Sequence, residues 1–229
     1  MPQSTVPGEH LKTGRAGNRD GNQTAGGFCL ESARQTAKDH RMPEIGPADE
    51  YFDVVDQDDV VVGRSTRREV HARGLLHRAV HALVFNRGGE LFLQKRSRNK
   101  DTAPGAWDSS ASGHVDSGED YDACVRRELR EEIGLEVARP PARWLRLPAC
   151  EETGREFVWV YREEAEGPFT LNREEIECGA WCRPEDVARR LRERPAEFAS
   201  SFRLIWRALA ARGDVPGRGA ASDQAGIRV

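Results

Sequence analysis

Residues 48–213 are predicted to form one α/β domain. Short apolar and β-branched runs typical of strands alternate there with segments whose apolar residues recur at helical spacing. No internal repeat interrupts this alternation, so a repeat architecture is not indicated. The segments on either side carry neither pattern, which leaves residues 48–213 as the part of the sequence that is predicted to bury a core.

The predicted elements follow in order along this domain. Strands are expected at the apolar runs 51–55, 60–62, 79–85, 90–94 and 157–161. Polar turns of the kind that close hairpins, at 57–59 and 86–89, join the first two pairs of these runs. Helices are expected at 119–133, which ends at Gly134, at 184–194, and from Phe198 to about Gly213.

Both ends of the chain lack such patterns. Residues 1–47 contain a single aromatic residue, Phe28, among small polar and charged residues, so this N-terminal extension is expected to be disordered. The chain has two methionines, Met1 and Met42, and Met42 precedes the first patterned segment. We therefore hypothesise that the functional protein begins near Met42. Residues 214–229 are rich in Gly and Ala and are expected to form a flexible tail.

The composition argues against several classes of protein. Of 229 residues, 38% are hydrophobic and 32% are charged, against roughly 45–50% and roughly 25% in average globular chains. The net charge of −3 gives no support for a nucleic-acid binder. No apolar run approaches the roughly 20 residues that a membrane span needs. The five cysteines are an odd number and too sparse for a disulfide scaffold, so we expect a soluble, cytoplasmic protein.

Three glutamates on the helix predicted at 119–133 are the strongest candidates for a catalytic centre. Glu128, Glu131 and Glu132 are spaced i, i+3 and i+4, which places their carboxylates on one helix face. Because close carboxylates repel one another, at least one of their pKa values is expected to rise when no cation is present. Mg²⁺ relieves that repulsion, since it accepts carboxylate oxygens and keeps coordination positions for water and substrate phosphates.

The residues around these glutamates extend the pattern. Gly113 opens the loop that enters the helix, and Arg127 is placed either to hold Glu119 or to pair with Glu131 across one turn. The full arrangement is Gly, five residues, Glu, seven residues, then Arg-Glu-Leu-Arg-Glu-Glu-Ile-Gly-Leu ending at Leu135. So many fixed positions match by chance in at most about one chain in a hundred thousand of average composition. An ordinary solvated helix face is therefore disfavoured.

These 23 residues resemble the signature of the Nudix family, every fixed position of which is present. The resemblance implies a Nudix-like α/β/α sandwich, in which helices enclose a mixed β-sheet. It also implies hydrolysis of a diphosphate linkage to another moiety, often a nucleoside, so the expected partner is a small-molecule diphosphate. A homodimer is compatible with the family, whereas partners such as nucleic acid or a membrane are not expected.

The resemblance also implies roles for individual residues. Glu128, Glu131 and Glu132 would bind Mg²⁺ (or Mn²⁺), with the Gly113 carbonyl as an additional ligand. Arg127 and Glu119 would form the pair that fixes the helix against its loop.

The mechanism implied in turn depends on cations and a carboxylate. Cations would bridge the phosphate oxygens, neutralise developing charge and lower the pKa of the attacking water. A carboxylate takes the remaining proton as general base. Glu128, Glu131 and downstream carboxylates all stay open as that base.

A narrower resemblance points to a different reaction. Three segments are similar to the isopentenyl-diphosphate isomerase branch of the same superfamily, namely 77–86, 93–100 and 104–108. This resemblance implies that Arg96 and Lys100 grip the diphosphate, although both would also suit a solvated basic turn. The isomerase needs a catalytic cysteine where this chain has Ser112, and a hydroxyl cannot replace a thiol there because its pKa is far higher. We therefore favour a hydrolase over an isomerase.

Two residues outside the helix are candidates for further contacts. His114 lies in the loop near the expected metal and is a candidate for contact with substrate or metal. Glu156 precedes a predicted buried strand and is a candidate for an added metal ligand or a base. In the isomerase resemblance, His77, His114 and Glu156 match three positions of a metal cluster. However, Gly154 stands in place of one glutamate, and His71 is offset by one position.

A non-catalytic domain that senses nucleotides or binds a protein is the third alternative. Relatives of that kind usually have a broken signature, so the intact carboxylates argue against this alternative.

Overall fold

The structure is a computed structural model that describes residues 50–215. The predicted N-terminal extension, including Met42, and the tail beyond residue 215 lie outside these residues. The strands are β1 (Tyr51–Val55), β2 (Val61–Thr66), β3 (His77–Phe85), β4 (Leu91–Arg96), β5 (Trp107–Asp108), β6 (Ala111–His114), β7 (Ala142–Leu147), β8 (Glu156–Glu164) and β9 (Ile176–Cys182). The helices are α1 (Arg67–Arg73), α2 (Tyr121–Ile133), α3 (Pro184–Glu193) and α4 (Ser200–Ala211).

Strands β3 to β9 form one mixed sheet, and β1 and β2 form a separate antiparallel hairpin. The sheet is mixed because β3 and β8 are parallel, whereas the other strand pairs are antiparallel. β3 and β4 pair only where Phe85 meets Leu91 and then separate. β6 pairs with the freed length of β3, and β5 pairs with the far end of β4. The candidate functional residues collect where the two strands have separated.

Helices cover both faces of the sheet, which confirms the predicted α/β/α sandwich. Successive residues of a strand point to opposite faces. On β3, Val80 and Val84 pack with the buried face of α2, whereas Leu83 and Phe85 pack with α3 and α4. The nearly continuous apolar sequence of β3 follows from this burial on both faces.

The turn of the β1–β2 hairpin attaches it to the rest of the domain. Asp59 in this turn accepts hydrogen bonds from Arg78 Nε at 2.6 Å, from Arg146 Nη2 at 2.8 Å and from the Tyr121 hydroxyl at 2.9 Å. Its side chain is only 9% exposed. Because Arg78 belongs to β3 and Tyr121 to α2, one carboxylate holds the hairpin against both the sheet and the helix.

The strands and helices predicted from the sequence all occur, with shifts of a few residues at their ends. The further elements α1, β5, β6 and β7 were too short or too polar to be predicted, and the seven-residue β9 was also not predicted. For example, α1 has one buried side chain, Val70, and β7 contains three exposed residues among its six. Phe198 precedes α4 and does not belong to it. None of the helices in residues 50–215 has the length and apolar content of a bilayer-spanning segment.

Candidate active site

Helix α2 presents the candidate carboxylates because both of its ends are fixed. Asp120 caps the N-terminus, where its side chain accepts a hydrogen bond from the Ala123 N–H at 2.8 Å. Gly134 ends the helix in the left-handed conformation at φ 69°, and its N–H donates to the Arg130 carbonyl at 3.0 Å. The buried face of α2, which includes Leu129, packs on the sheet and so directs the neighbouring glutamates towards β4 and β6.

Glu128 and Glu132 are buried beside β4 and β6. Oε2 of Glu132 accepts hydrogen bonds from Gln94 Nε2 at 3.0 Å and from the Ser112 main-chain N–H at 2.9 Å. Burial raises the pKa of Glu132 to about 8, and the nearby Glu128 carboxylate adds to the increase. Burial likewise raises the pKa of Glu128 to about 7, although Arg127 opposes this. Burial disfavours the charged form of each carboxyl as long as no positive charge is nearby. A bound cation would supply that charge, so each carboxyl would lose its proton when the cation binds.

Arg127 connects these glutamates to the preceding loop. Its Nε and Nη2 donate to the two carboxylate oxygens of Glu119 at 3.0 and 2.8 Å, and Nη2 also donates to the His114 carbonyl at 3.0 Å. Its Nη1 donates to Glu128 Oε1 at 2.6 Å and to Glu131 Oε2 at 3.3 Å. Arg127 therefore makes both contacts that its spacing allows, the one with Glu119 and the one with Glu131. Glu131 itself is 47% exposed.

Gly113 on β6 lies directly against the Glu128 carboxylate. A Cβ atom at position 113 would be 2.1 Å from Glu128 Oε1 and 2.2 Å from its Cδ. The φ of Gly113 lies outside the left-handed region, so the reason for glycine here is the space that the carboxylate occupies.

His71, His77, His114 and Glu156 form a second group of candidate ligands, which we call the histidine cluster. One ligand atom from each of the four lies within 4.8 Å of the others. Among residues 50–215 this is the one group of three or more His, Cys, Asp or Glu residues that meets this distance. Glu156 is therefore grouped with histidines at this distance, whereas the three α2 glutamates line the same cleft without belonging to the group.

His77 has the features of a metal ligand. Its Nδ1 lies 2.9 Å from the Leu75 carbonyl, which can only accept, so Nδ1 carries the proton and Nε2 carries the lone pair. His77 is 1% exposed, and its buried Nε2 makes no hydrogen bond within the described residues. Glu156 Oε1 lies 3.5 Å from this nitrogen and accepts a hydrogen bond from His114 Nε2 at 3.0 Å.

The charges around the cluster favour a cation over protons. Burial, together with repulsion from His114 and His77, lowers the pKa of His71 to about 4. Burial raises the pKa of Glu156, but the hydrogen bond from His114 and the positive charge that the His114 and His77 rings carry when protonated outweigh this and hold that pKa below its usual range. At neutral pH the cluster therefore contains an uncharged imidazole at His71 beside a carboxylate, a donor set that suits transition-metal cations such as Zn²⁺.

Arg96 and Lys100 are already paired with carboxylates. Arg96 Nη1 lies 3.3 Å from Asp108 Oδ2, and its Nε donates to the Thr102 carbonyl at 3.1 Å. Lys100 Nζ donates to the Glu175 carboxylate. A phosphate that bound here would therefore share these cations with Asp108 and Glu175 or displace the carboxylates.

Most of the residues singled out in the sequence line one cleft of about 500 Å³. Of the predicted site residues, Glu119 alone is outside the lining of the cleft, and it contacts the others through Arg127. The partners Gln94 and Asp108 are not predicted from the sequence, whereas Glu175 belongs to the pair Glu174–Glu175, which is predicted as a solvated turn with a catalytic role as the alternative. A polar residue within the apolar run of β4 was the available signal for Gln94, and Asp108 carries no local signal.

The family model described as NUDIX domain matches residues 75–202. A Nudix hydrolase of Yersinia pestis, whose own activity is uncharacterised, is 36% identical over 154 residues, which are 66% of this chain and 84% of that protein. A Nudix hydrolase of Deinococcus radiodurans is 34% identical over 149 residues, which are 64% of this chain and 86% of the relative. The crystal structure of a protein from Deinococcus radiodurans has a TM-score of 0.63 and 30% identity, and it covers 69% of this chain and 98% of its own.

Proposed function

Because this chain belongs to the Nudix family, we propose that it hydrolyses a diphosphate linkage in a small-molecule substrate with a divalent cation bound by the two buried glutamates of α2, Glu128 and Glu132. The observation that carries this proposal is the pair of buried carboxyls, Glu128 and Glu132, whose pKa values are raised in a cleft that also contains Arg96 and Lys100. Mg²⁺ or Mn²⁺ would supply the positive charge that these buried carboxyls need. The diphosphate would then lie between that cation and Arg96 and Lys100, which we call the basic pair.

Each buried glutamate keeps one oxygen available for a cation. Oε2 of Glu132 is occupied by Gln94 and Ser112, and Oε1 of Glu128 is occupied by Arg127. The other oxygen of each carboxylate makes no hydrogen bond within the described residues. The Gly113 carbonyl remains a candidate ligand because its residue touches Glu128. When bound, the cation would neutralise charge on the diphosphate and lower the pKa of the attacking water.

Glu131 is our choice for the general base. Its carboxylate is exposed at the rim of the cleft, where Arg127 orients it at 3.3 Å without burying it. An exposed carboxylate can take a proton from water and pass it to solvent, which a carboxylate that is buried and bound to a cation cannot do as readily. Glu131→Gln should therefore lower kcat while leaving cation affinity close to that of the wild type.

The direct test is turnover of nucleoside, sugar, dinucleotide and isoprenoid diphosphates with Mg²⁺ or Mn²⁺, measured as release of phosphate or monophosphate. We expect hydrolysis of at least one substrate and a loss of about 100-fold or more in Glu132→Gln. The matched control is Glu136→Gln, an exposed glutamate just beyond α2, which should retain the wild-type rate.

Two results would contradict the proposal. Wild-type turnover in Glu132→Gln would show that the cation does not depend on this carboxylate. Cation-dependent binding of a diphosphate without any turnover would replace the hydrolase with the non-catalytic alternative.

The histidine cluster favours one further candidate function, isomerisation of isopentenyl diphosphate. It contains the three residues that match the isomerase resemblance, His77, His114 and Glu156, and the orphaned His77 Nε2 fits a metal ligand. Ser112 stands against this candidate, because a hydroxyl occupies the position of the required thiol.

Metal analysis of the purified protein and an isomerisation assay separate these candidates. His77→Ala should lose the metal of the histidine cluster, and Glu132→Gln should keep it. Conversion of isopentenyl diphosphate by the wild-type protein would make it an isomerase, whereas hydrolysis without isomerisation supports the assignment made here.

A further inference from the structure

A series of buried polar side chains runs from Arg96 to a histidine that neither candidate cation site includes. Arg96 Nη1 contacts Asp108 Oδ2 at 3.3 Å, and Asp108 Oδ1 accepts a hydrogen bond from the Ser109 N–H at 2.8 Å. The Ser109 hydroxyl lies 2.8 Å from His81 Nδ1. The side chains of His81 and Asp108 are 5% and 3% exposed. Arg96, Asp108 and His81 all line the cleft.

The surroundings of His81 determine which ring nitrogen carries the proton. Nδ1 faces the Ser109 hydroxyl, which can accept, and Asp108 Oδ1 at 3.8 Å, which can only accept. A proton on Nδ1 is therefore stabilised by both neighbours, and Nε2 is left with the lone pair. Burial also lowers the pKa of His81, so the ring is neutral at pH 7.

His81 lines the cleft, and its Nε2 has no hydrogen-bond partner among the described residues. No group of residues 50–215 forms a hydrogen bond with this nitrogen. Within that part of the chain, His77 Nε2 is the single fully buried side-chain nitrogen or oxygen that has no hydrogen-bond partner. His81 Nε2 is therefore not fully enclosed, and it lies on a residue that lines the cleft. The other polar atoms of the series have partners, so this lone pair is the one left for a ligand.

We propose that His81 Nε2 accepts a hydrogen bond from the group that the substrate carries beyond its diphosphate, which makes His81 a specificity-determining residue. This inference rests on the proposed function. A hydroxyl or amino group, as in a nucleoside or a sugar, satisfies the lone pair. A hydrocarbon such as an isoprenyl chain would cover the nitrogen and leave it unpaired, and sites built to hydrogen-bond a substrate discriminate strongly against such analogues.

Position in the sheet supports this assignment. His81 is paired with Ser112 of β6, whose main-chain N–H holds Glu132, and Asp108 is paired with Gln94 of β4, which holds the same carboxylate. The acceptor therefore lies next to the strands that position the cation ligands. Arg96 and the candidate cation ligands Glu128 and Glu132 line the same cleft as His81.

Binding of analogues that cannot be hydrolysed tests the proposal independently of turnover. The probes are a methylene-bridged nucleoside diphosphate and a methylenediphosphonate that carries a plain alkyl chain, titrated by calorimetry with Mg²⁺ present. His81→Phe removes the acceptor at similar size, whereas His81→Gln returns an acceptor, Oε1, close to the position of Nε2. We expect His81→Phe to weaken binding of the nucleoside analogue by about 10- to 100-fold and to change the affinity for the alkyl analogue by less than about 3-fold. His81→Gln should recover part of that loss.

A spectroscopic measurement covers the case in which His81→Phe does not fold. The ¹⁵N spectrum of the wild-type protein, with the His81 signals assigned through His81→Gln, should show a protonated Nδ1. Its Nε2 signal should move upfield when the nucleoside analogue binds and stay in place with the alkyl analogue.

Each contrary result has a distinct meaning. Equal loss of affinity for both analogues in His81→Phe would reduce His81 to a structural role, and a proton on Nε2 would contradict the tautomer. Stronger binding of the alkyl analogue by the wild-type protein, or no binding of either probe, would also overturn the inference. Discriminating binding without turnover of any diphosphate would instead refute the hydrolase and leave the role of His81 standing.

Discussion

Gly113→Ala places one methyl group against the Glu128 carboxylate and thereby tests how the candidate cation site is built. The new Cβ would lie 2.1 Å from Glu128 Oε1, whereas ordinary contacts begin at 3.4 Å. The carboxylate must therefore move by more than 1 Å or β6 must shift away from α2. Movement of the carboxylate would break its 2.6 Å hydrogen bond to Arg127.

The expected cost has a structural part and a catalytic part. Overpacking of a buried site lowers the free energy of unfolding by about 1–3 kcal/mol. Misplacement of a catalytic group by about 1 Å lowers the rate by about 100-fold. Since the methyl group touches Glu128, a candidate cation ligand, and neither Arg96 nor Lys100, the weakened step should be cation binding.

The assays are urea denaturation, a Mg²⁺ titration and kcat/KM on the preferred substrate. Gly63→Ala is the matched control, because nothing lies within 4 Å of its added Cβ and its φ is likewise outside the left-handed region. A Gly113→Ala protein that binds Mg²⁺ and turns over substrate like the wild type would refute the packing of Glu128 against Gly113. Loss of activity with unchanged cation affinity would show that the substitution acts on the loop between β6 and α2 and not on the cation site.

Glu132→Gln should stabilise the metal-free protein while it abolishes turnover. Because the pKa of Glu132 is about 8 in the folded state and 4.5 ordinarily, the folded chain holds this proton more tightly than the unfolded chain. This bound proton therefore stabilises the folded state. The stabilisation is complete below about pH 4.5 and is lost as the pH rises through about 8. Urea denaturation at pH 5 and pH 8 should show this loss in the wild type and its reversal by Mg²⁺. The variant should be more stable than the wild type at pH 8, by on the order of a few kcal/mol. Asp59→Asn should lower the free energy of unfolding by about 2–4 kcal/mol, because Arg78 loses a buried charged partner. Asp58→Asn, on the exposed side of the same turn, should change it by less than about 0.5 kcal/mol. Equal stability of the Asp59 and Asp58 variants would show that the hairpin is held by other contacts.

Most of the fold and the glutamates of α2 could be predicted from local sequence patterns. α2 was predictable because a capping residue, an apolar face and Gly134 all occur within one continuous segment. The spacing of Glu128, Glu131 and Glu132 likewise belongs to a single helix and needs no tertiary information. β7 and β9 were not predictable, because their residues become partly buried only through pairing with β8 and β4.

A Nudix domain, its three glutamates and their connection to Arg127 can all be read from short-range spacing and residue type. Which of those carboxyls are buried cannot, because the burial of Glu128 and Glu132 depends on β4 and β6. Tertiary structure also brings Glu156 of β8 next to His71, His77 and His114, which lie on α1, β3 and β6. Burial and long-range proximity set pKa values and cation preference, and neither is encoded in local spacing.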